Sequence, residues 1–215
     1  IASPGDVVQV QDGTYQAFTA SIAVTIVALG PGTPTVLNLN GATHTVLQPP
    51  PGAEVHLVGL DFQSFDSGAC VEVLGGRATF DRCEFFAREG DALVVDLQDC
   101  SLVSLVLYGP VNALRIVQGD VSAAATAMSV LDFGFGSPGS RVVLVQASRL
   151  HATQFGKGSN VPILVESIGS DVWISDSEMR CGMLSTGAPI RFSRSDVQPS
   201  PTFPTVPCTG FVTDA

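Results

Sequence analysis

Residues 55–62 read VHLVGLDF, and residues 78–85, 23 positions further on, read ATFDRCEF. Laid over one another, the stretches set Leu57 with Phe80, Asp61 with Glu84 and Phe62 with Phe85. Apolar residues recur at a spacing of two, the period of a half-buried strand, whereas a helix would repeat near 3.6. The pattern starts again from Val55, Ala78, Ser101, Val121, Ser148 and Val172, 20 to 27 residues apart. A second strand-like set starts from Ala69, Ala92, Ala113, Arg141, Pro162 and Pro189. Self-similarity at a period of 20–50 residues marks units that bury their apolar faces only by stacking.

Aligned, the first set gives one inward column of Leu57, Phe80, Val103, Ala123, Leu150 and Ile174. Phe62, Phe85, Tyr108, Met128, Phe155 and Met179 follow five residues on. The second set gives Cys70, Leu93, Leu114, Val142, Ile163 and Ile190, then Glu72, Val95, Ile116, Leu144, Val165 and Phe192, with Glu72 the one charge. The expectation is an all-β chain, a single-stranded parallel β-helix of about 23 residues per coil over residues 1–197. Residues 198–215 form a Pro-rich tail that packs on it. The Gly- and Ser-rich stretches 133–140 and 155–161 fall between strands, as loops leaving the stack.

Composition agrees with a packed body. Of 215 residues, 45% are hydrophobic and 14% charged, which suits a large core and not a disordered tail. The net charge of −10, with Lys157 the single lysine, leaves few cations to neutralise phosphates, so nucleic acid is not an expected partner. No apolar run reaches the roughly 18 residues of a membrane span. The first residues lack the basic and long apolar segments of a signal peptide, so the chain reads as a mature or trimmed product.

The stretch Ser3 to Tyr15, SPGDVVQVQDGTY, followed by AVTIVAL at 23–29, resembles the opening coil of right-handed β-helix proteins of the pectate-lyase-like superfamily. That resemblance, with the right-handed preference of parallel connections, implies a right-handed coil. It also implies an extracellular or cell-surface setting and a carbohydrate ligand. The segment DVWISDSEMR at 171–180 resembles a pectate-lyase strand that runs apolar, Trp, Ile, Asp, His, but Asp176 stands one place late and Ser175 replaces the His, so the match covers a strand more than a site. The Lys and Arg pair used by lyases with this opening has no counterpart, because Lys157 lies in a Gly-rich loop without an Arg at matching spacing. The aspartate clusters of the family's hydrolases are absent as well, and no catalytic residue is assigned.

Five cysteines, Cys70, Cys83, Cys100, Cys181 and Cys208, show no CxxC spacing and no neighbouring His ligands, so no zinc site is expected. Cys181 and Cys208 flank the Pro-rich stretch, where a disulfide would staple the tail to the body in an oxidising compartment. Cys70 and Cys83 read as small buried hydrophobes.

Among polar groupings the best is Asp61 and Glu84, outward on adjacent coils and roughly 5 Å apart, with Arg82 on the same face. Such a pair suits a hard cation such as Ca²⁺, or acid and base roles, and equally a solvated ion-paired face. Trp173, placed outward beside Arg149 of the preceding coil, reads either as a sugar-stacking platform or as a ring covered by the tail. His44, His56 and His151 share no motif.

The outward positions of the second set are unusually aliphatic: Val71, Val94, Val143 and Leu164 in one column, Val117 and Val145 in the next. An exposed patch of several hundred Å² would call for a cover, from a homo-oligomer partner, the tail or a neighbouring domain. Strong strand propensity is the other explanation for so much valine. The functional expectation is a secreted or surface β-helix module, non-catalytic, that binds carbohydrate or serves as a structural and assembly element. A polysaccharide lyase or glycoside hydrolase acting on an acidic polysaccharide is the alternative.

Overall fold

The computed structural model describes residues 1–38, 44–65, 67–90, 92–96, 99–103, 106–108, 114–117, 120–124, 127–129, 143–146, 149–153, 163–168, 170–176, 178–186, 190–199 and 211–214. The described residues form strands, turns and bends, without a helix, so none is present that could cross a membrane.

Strands come in rounds. The first three rounds are β1 (Val7–Gln11), β2 (Thr14–Gln16) and β3 (Thr19–Ala20); β4 (Val24–Leu29), β5 (Thr35–Asn38) and β6 (Thr45–Leu47); β7 (Glu54–Val58), β8 (Asp61–Ser64) and β9 (Val71–Val73). The next three are β10 (Arg77–Asp81), β11 (Glu84–Ala87) and β12 (Leu93–Asp96); β13 (Asp99–Val103), β14 (Val106–Tyr108) and β15 (Leu114–Val117); β16 (Asp120–Ala124), β17 (Ala127–Ser129) and β18 (Val143–Gln146). Pairs follow: β19 (Arg149–Thr153) with β20 (Ile163–Ile168), β21 (Asp171–Ser175) with β22 (Glu178–Thr186), and β23 (Ile190–Ser193) with β24 (Asp196–Pro199). β25 (Phe211–Asp214) is last.

Each round feeds separate sheets. The first sheet runs β1-β4-β7-β10-β13-β16-β19-β21-β23-β25, the second β17-β14-β11-β8-β5-β2, and the third β24-β22-β20-β18-β15-β12-β9-β6-β3. All neighbouring strands are parallel. A parallel pair cannot be closed by a tight hairpin and needs a crossover; here the strands of the other sheets supply it. Phe211–Asp214, inside the stretch read as a tail, pairs with β23 as the last strand of the first sheet.

The bend that follows strands of the first sheet, leading to the second sheet after β7 and β10 and to the third after β21 and β23, has a repeated local cause. Gly59, Arg82, Asp176 and Arg194 stand one residue past the ends of β7, β10, β21 and β23, with φ of 70°, 52°, 51° and 46°. A single left-handed residue turns the chain, one more residue follows, and the next strand begins. Gly59 meets this geometry without strain, whereas a residue with a Cβ gives up about 1–2 kcal/mol there. In two of these corners the residue after the bend is buried: Leu60 and Cys83 are each 1% exposed.

Inside, Leu57, Phe62, Phe80, Phe85, Leu93 and Leu114 have no accessible surface. Phe62 and Phe85 stack with centroids 5.2 Å apart, and Phe80 meets Phe85 edge-on at 5.4 Å. Stacked positions of successive rounds thus fill one continuous core, as the alignment of 55–62 on 78–85 implies.

Further along, the register departs from the sequence alignment. In the first sheet the ladder runs Val55, Ala78, Cys100, Val121, Leu150 and Val172, so Cys100 and Leu150 take the places expected for Ser101 and Ser148. The next column has Leu102 and Ala152 in place of Val103 and Leu150. Ile190 and Phe192, assigned to the second strand set, pair in the first sheet.

In the third sheet Leu93 pairs with Val71, not Cys70, and Glu72 sits opposite Val94. The expected register would have buried the Glu72 carboxylate, which is costly without a partner. Sliding by one residue puts Val71 and Val73 in the core at 0% exposure, and Glu72 outward, where it meets His44 Nε2 at 2.7 Å. The same slip recurs at β18, where Val143 and Val145 pair with the buried Leu114 and Ile116.

The expected aliphatic face is therefore corrected. Val71 is core, and Val143 and Val145 stand in core columns. The ladder that continues from Glu72 runs Glu72, Val94, Arg115, Leu144, Glu166 and Leu184, a mixed row of charged and aliphatic residues. Val94 holds its outward place but is 7% exposed. Leu164 pairs with Gly182, and Val117 with Asp96 and Gln146.

Candidate functional site

On the outer face of the first sheet Glu54, Arg77, Ser122, Trp173 and Arg191 are exposed, and His56 and Thr79 partly so. One ladder column runs Thr25, His56, Thr79, Ser101, Ser122, His151, Trp173, Arg191 and Val212. The column beside it is charged throughout: Glu54, Arg77, Asp99, Asp120, Arg149 and Asp171. Thr79 Oγ1 donates to Glu54 Oε1 and ties the two columns together. Equivalent positions recur about every 4.8 Å, the spacing of paired strands.

Trp173 is where this face turns aromatic. Val172 and Ile174 on either side of it are at 0% exposure, so strand alternation forces the indole outward, and it is 40% exposed. Its Nε1 donates to Ser193 Oγ at 3.3 Å, one round on, which fixes the ring's orientation. Its ladder neighbours are His151 and the exposed Arg191, not Arg149 as the alignment implied. Just past the same strands, Arg194 Nε and Nη2 donate to Asp176 Oδ1 and Oδ2, both at 2.7 Å, across two consecutive bends. That guanidinium holds the Asp176 carboxyl below its ordinary range.

Asp61 and Glu84 are ladder partners in the second sheet, adjacent as expected. Asp61 is committed locally: Gln63 Nε2 donates to its Oδ2, and Thr35 Oγ1 to the same atom at 3.4 Å. Burial pushes its pKa up, against the lowering effect of these two hydrogen bonds. Arg82 turns to its own neighbour, with Nε 3.5 Å from Asp81 Oδ2. The ladder continues from Glu84 to Val106 and Ala127, so the carboxylate pair is isolated. It lies about four strand spacings, roughly 19 Å, from Trp173 along the stack, and in another sheet. The four candidate ligand-binding residues therefore divide into two separate places.

Cys70 and Cys83 are buried free thiols, and burial pushes both pKa values up to about 12. Cys208 lies outside the described residues, as does the side chain of Cys181, so the expected disulfide does too. Among the described residues no group of three or more His, Cys, Asp or Glu side chains gathers into a metal site. A recess of about 510 Å³ between Pro49–Pro51 and Leu74–Gly76 has no titratable lining.

Sequence reasoning missed the neighbours of Trp173. The signal was a round of 18 residues from Trp173 to Arg191, matched by the 18 from Val7 to Thr25 in the first round. Comparison with known proteins leaves this geometry without a named counterpart: no family model, curated protein or solved structure matches the chain.

Proposed function

We propose that the chain is a right-handed parallel β-helix, secreted or held at a cell surface, that binds carbohydrate on the outer face of its first sheet without cleaving it. The observation that carries this reading is Trp173, an outward indole pinned by Ser193 at 3.3 Å and set in a ladder between His151 and Arg191. An oriented aromatic face offers a sugar ring an apolar platform. The hydroxyl, imidazole and guanidinium groups stacked along its column and the neighbouring one supply hydrogen bonds at regular spacing. Charge also favours this end. Residues 1–148 carry fourteen acidic and five basic side chains, residues 149–215 six and five, so the Trp173 end lies outside the strongly negative part. Family likeness at SPGDVVQVQDGTY supports the handedness and the ligand class, and the three-sheet rotation supports the coil.

Trp173 is the single tryptophan of the chain, which makes indole fluorescence a site-specific probe. Titration with soluble neutral and acidic polysaccharides should shift the emission for at least one of them, and Trp173→Ala should lose its retention on that glycan. No reducing or unsaturated ends should appear. A flat response across the panel sinks the binding reading, and released ends sink the non-catalytic one.

A further inference from the structure

We propose that the outer face of the second sheet is a docking surface for an arginine-bearing peptide segment of a partner protein. The face is built by alternation. Leu60, Phe62, Cys83, Phe85 and Ala87 are at or below 1% exposure, so Asp61, Glu84 and Phe86 beside them turn outward. The ladder sets two columns on this surface: Thr35, Asp61 and Glu84 in the first, Leu37, Gln63 and Phe86 in the second. Phe65, just past the end of β8, is 39% exposed, and its ring lies tilted at 52° to that of Phe86 with centroids 6.2 Å apart.

The two columns stand two residues apart, roughly 7 Å along the strand, so one arginine can lay its guanidinium on a ring and still donate to a carboxylate. Acidic charge is unanswered here. Both hydrogen bonds to the Asp61 carboxylate end on Oδ2, Glu84 is exposed, and among the described residues no cation of the chain pairs with either. Arg82 turns to Asp81 instead, and Arg88 is exposed two residues past Phe86, so the carboxylate side is the open approach for a cation. Residues 24–96 carry nine acidic and three basic side chains, which draws a basic partner and repels a second copy of a chain whose net charge is −10.

The rings decide which cation. A hard metal ion gains nothing from them and needs more oxygen ligands than two carboxylates supply. A planar, weakly hydrated guanidinium stacks on an aromatic face and forks onto a carboxylate, whereas a lysine ammonium is a strongly hydrated point charge. Burial already raises the Asp61 pKa, so part of the desolvation of that carboxylate is met by the fold before a partner arrives.

The test is fluorescence anisotropy of a dye-labelled peptide of alternating arginine and glycine, and of its lysine counterpart, titrated with the Ile1–Ala215 chain at physiological salt. The arginine peptide should bind tighter by about two- to fivefold, the size of one exposed cation–ring contact. Phe65→Leu and Phe86→Leu keep apolar bulk but remove a ring, and each should shrink that preference with an unchanged strand spectrum. Glu84→Gln should weaken both peptides, and Glu72→Gln, an acid lost from the third sheet, neither. No binding, equal affinity of the parent for the two peptides, a preference untouched by both leucine variants, or equal losses for Glu72→Gln and Glu84→Gln overturns the proposal. So does a neutral glycan held by the parent and released by Phe86→Leu, which would give the face to sugar.

Discussion

Asp61 shows how one residue can be placed well by its neighbours and still cost stability. Its carboxyl is half-buried, and burial raises its pKa above the ordinary 3.8 despite hydrogen bonds from Gln63 and Thr35. An acid whose folded pKa is raised binds its proton more tightly in the native state, so stability falls as pH rises through the window above 3.8. Asp61→Asn should therefore melt higher than the parent at neutral pH, with the gain shrinking as the pH is lowered toward 3.8. Thermal melts of both chains across that range check it; a gain that grows on acidification has the wrong sign. The buried thiols give a second residue-level outcome. With pKa values near 12, Cys70 and Cys83 hold almost no thiolate at pH 8 and sit where a reagent cannot reach. Mass-spectrometric mapping after iodoacetamide treatment should find both unmodified in the native protein and alkylated in denaturant.

At the scale of the element, rounds stack so closely that some corners admit no side chain. A Cβ on Gly90 would lie 2.2 Å from the Gly68 carbonyl oxygen, backbone against backbone, so Gly90→Ala must push two rounds apart. The expected loss is about 1–3 kcal/mol, typical of overpacking, read as a drop in the urea midpoint. Strand existence was legible because apolar and polar residues alternate in VHL and LDF, and in ATFD and CEF, on either side of each bend. Phase was legible only where that alternation holds: the sequence VVLV at 142–145, which overlaps β18, is aliphatic at successive positions, and either register buries valine. Round length was the other gap, since insertions and the 18-residue round from Trp173 to Arg191 break the period of about 23 on which the alignment relied. For the same reason the Asp61–Glu84 pair, inside the regular stretch, was found from sequence, while the surroundings of Trp173 were not.

For the whole molecule, the question is whether the rounds behave as one cooperative body or as a row of units joined to their neighbours. A stack in which each round touches only the next should be stiffest in the middle and weakest at an uncovered end. Leu93 and Val8 test this, because both point toward the core but differ in cover: Leu93 is at 0% exposure with rounds on both sides, and Val8 is only partly buried in the first round. Leu93→Asp introduces a charge with no partner into the closed core, a change in the class that costs roughly 3–5 kcal/mol when no counter-charge is available. A domain of this size has about 5–15 kcal/mol to lose, so that substitution should leave little folded protein at physiological temperature. Val8→Asp places its carboxylate beside solvent and should cost about 1 kcal/mol, the centre of the range for ordinary substitutions. Its damage should stay local, with faster amide exchange in Val7–Gln11 and unchanged protection in Arg77–Asp81. Hydrogen exchange on the two variants decides the matter: equal destabilisation, or protection lost throughout after Val8→Asp, would mean that the first round belongs to the same cooperative unit as the middle.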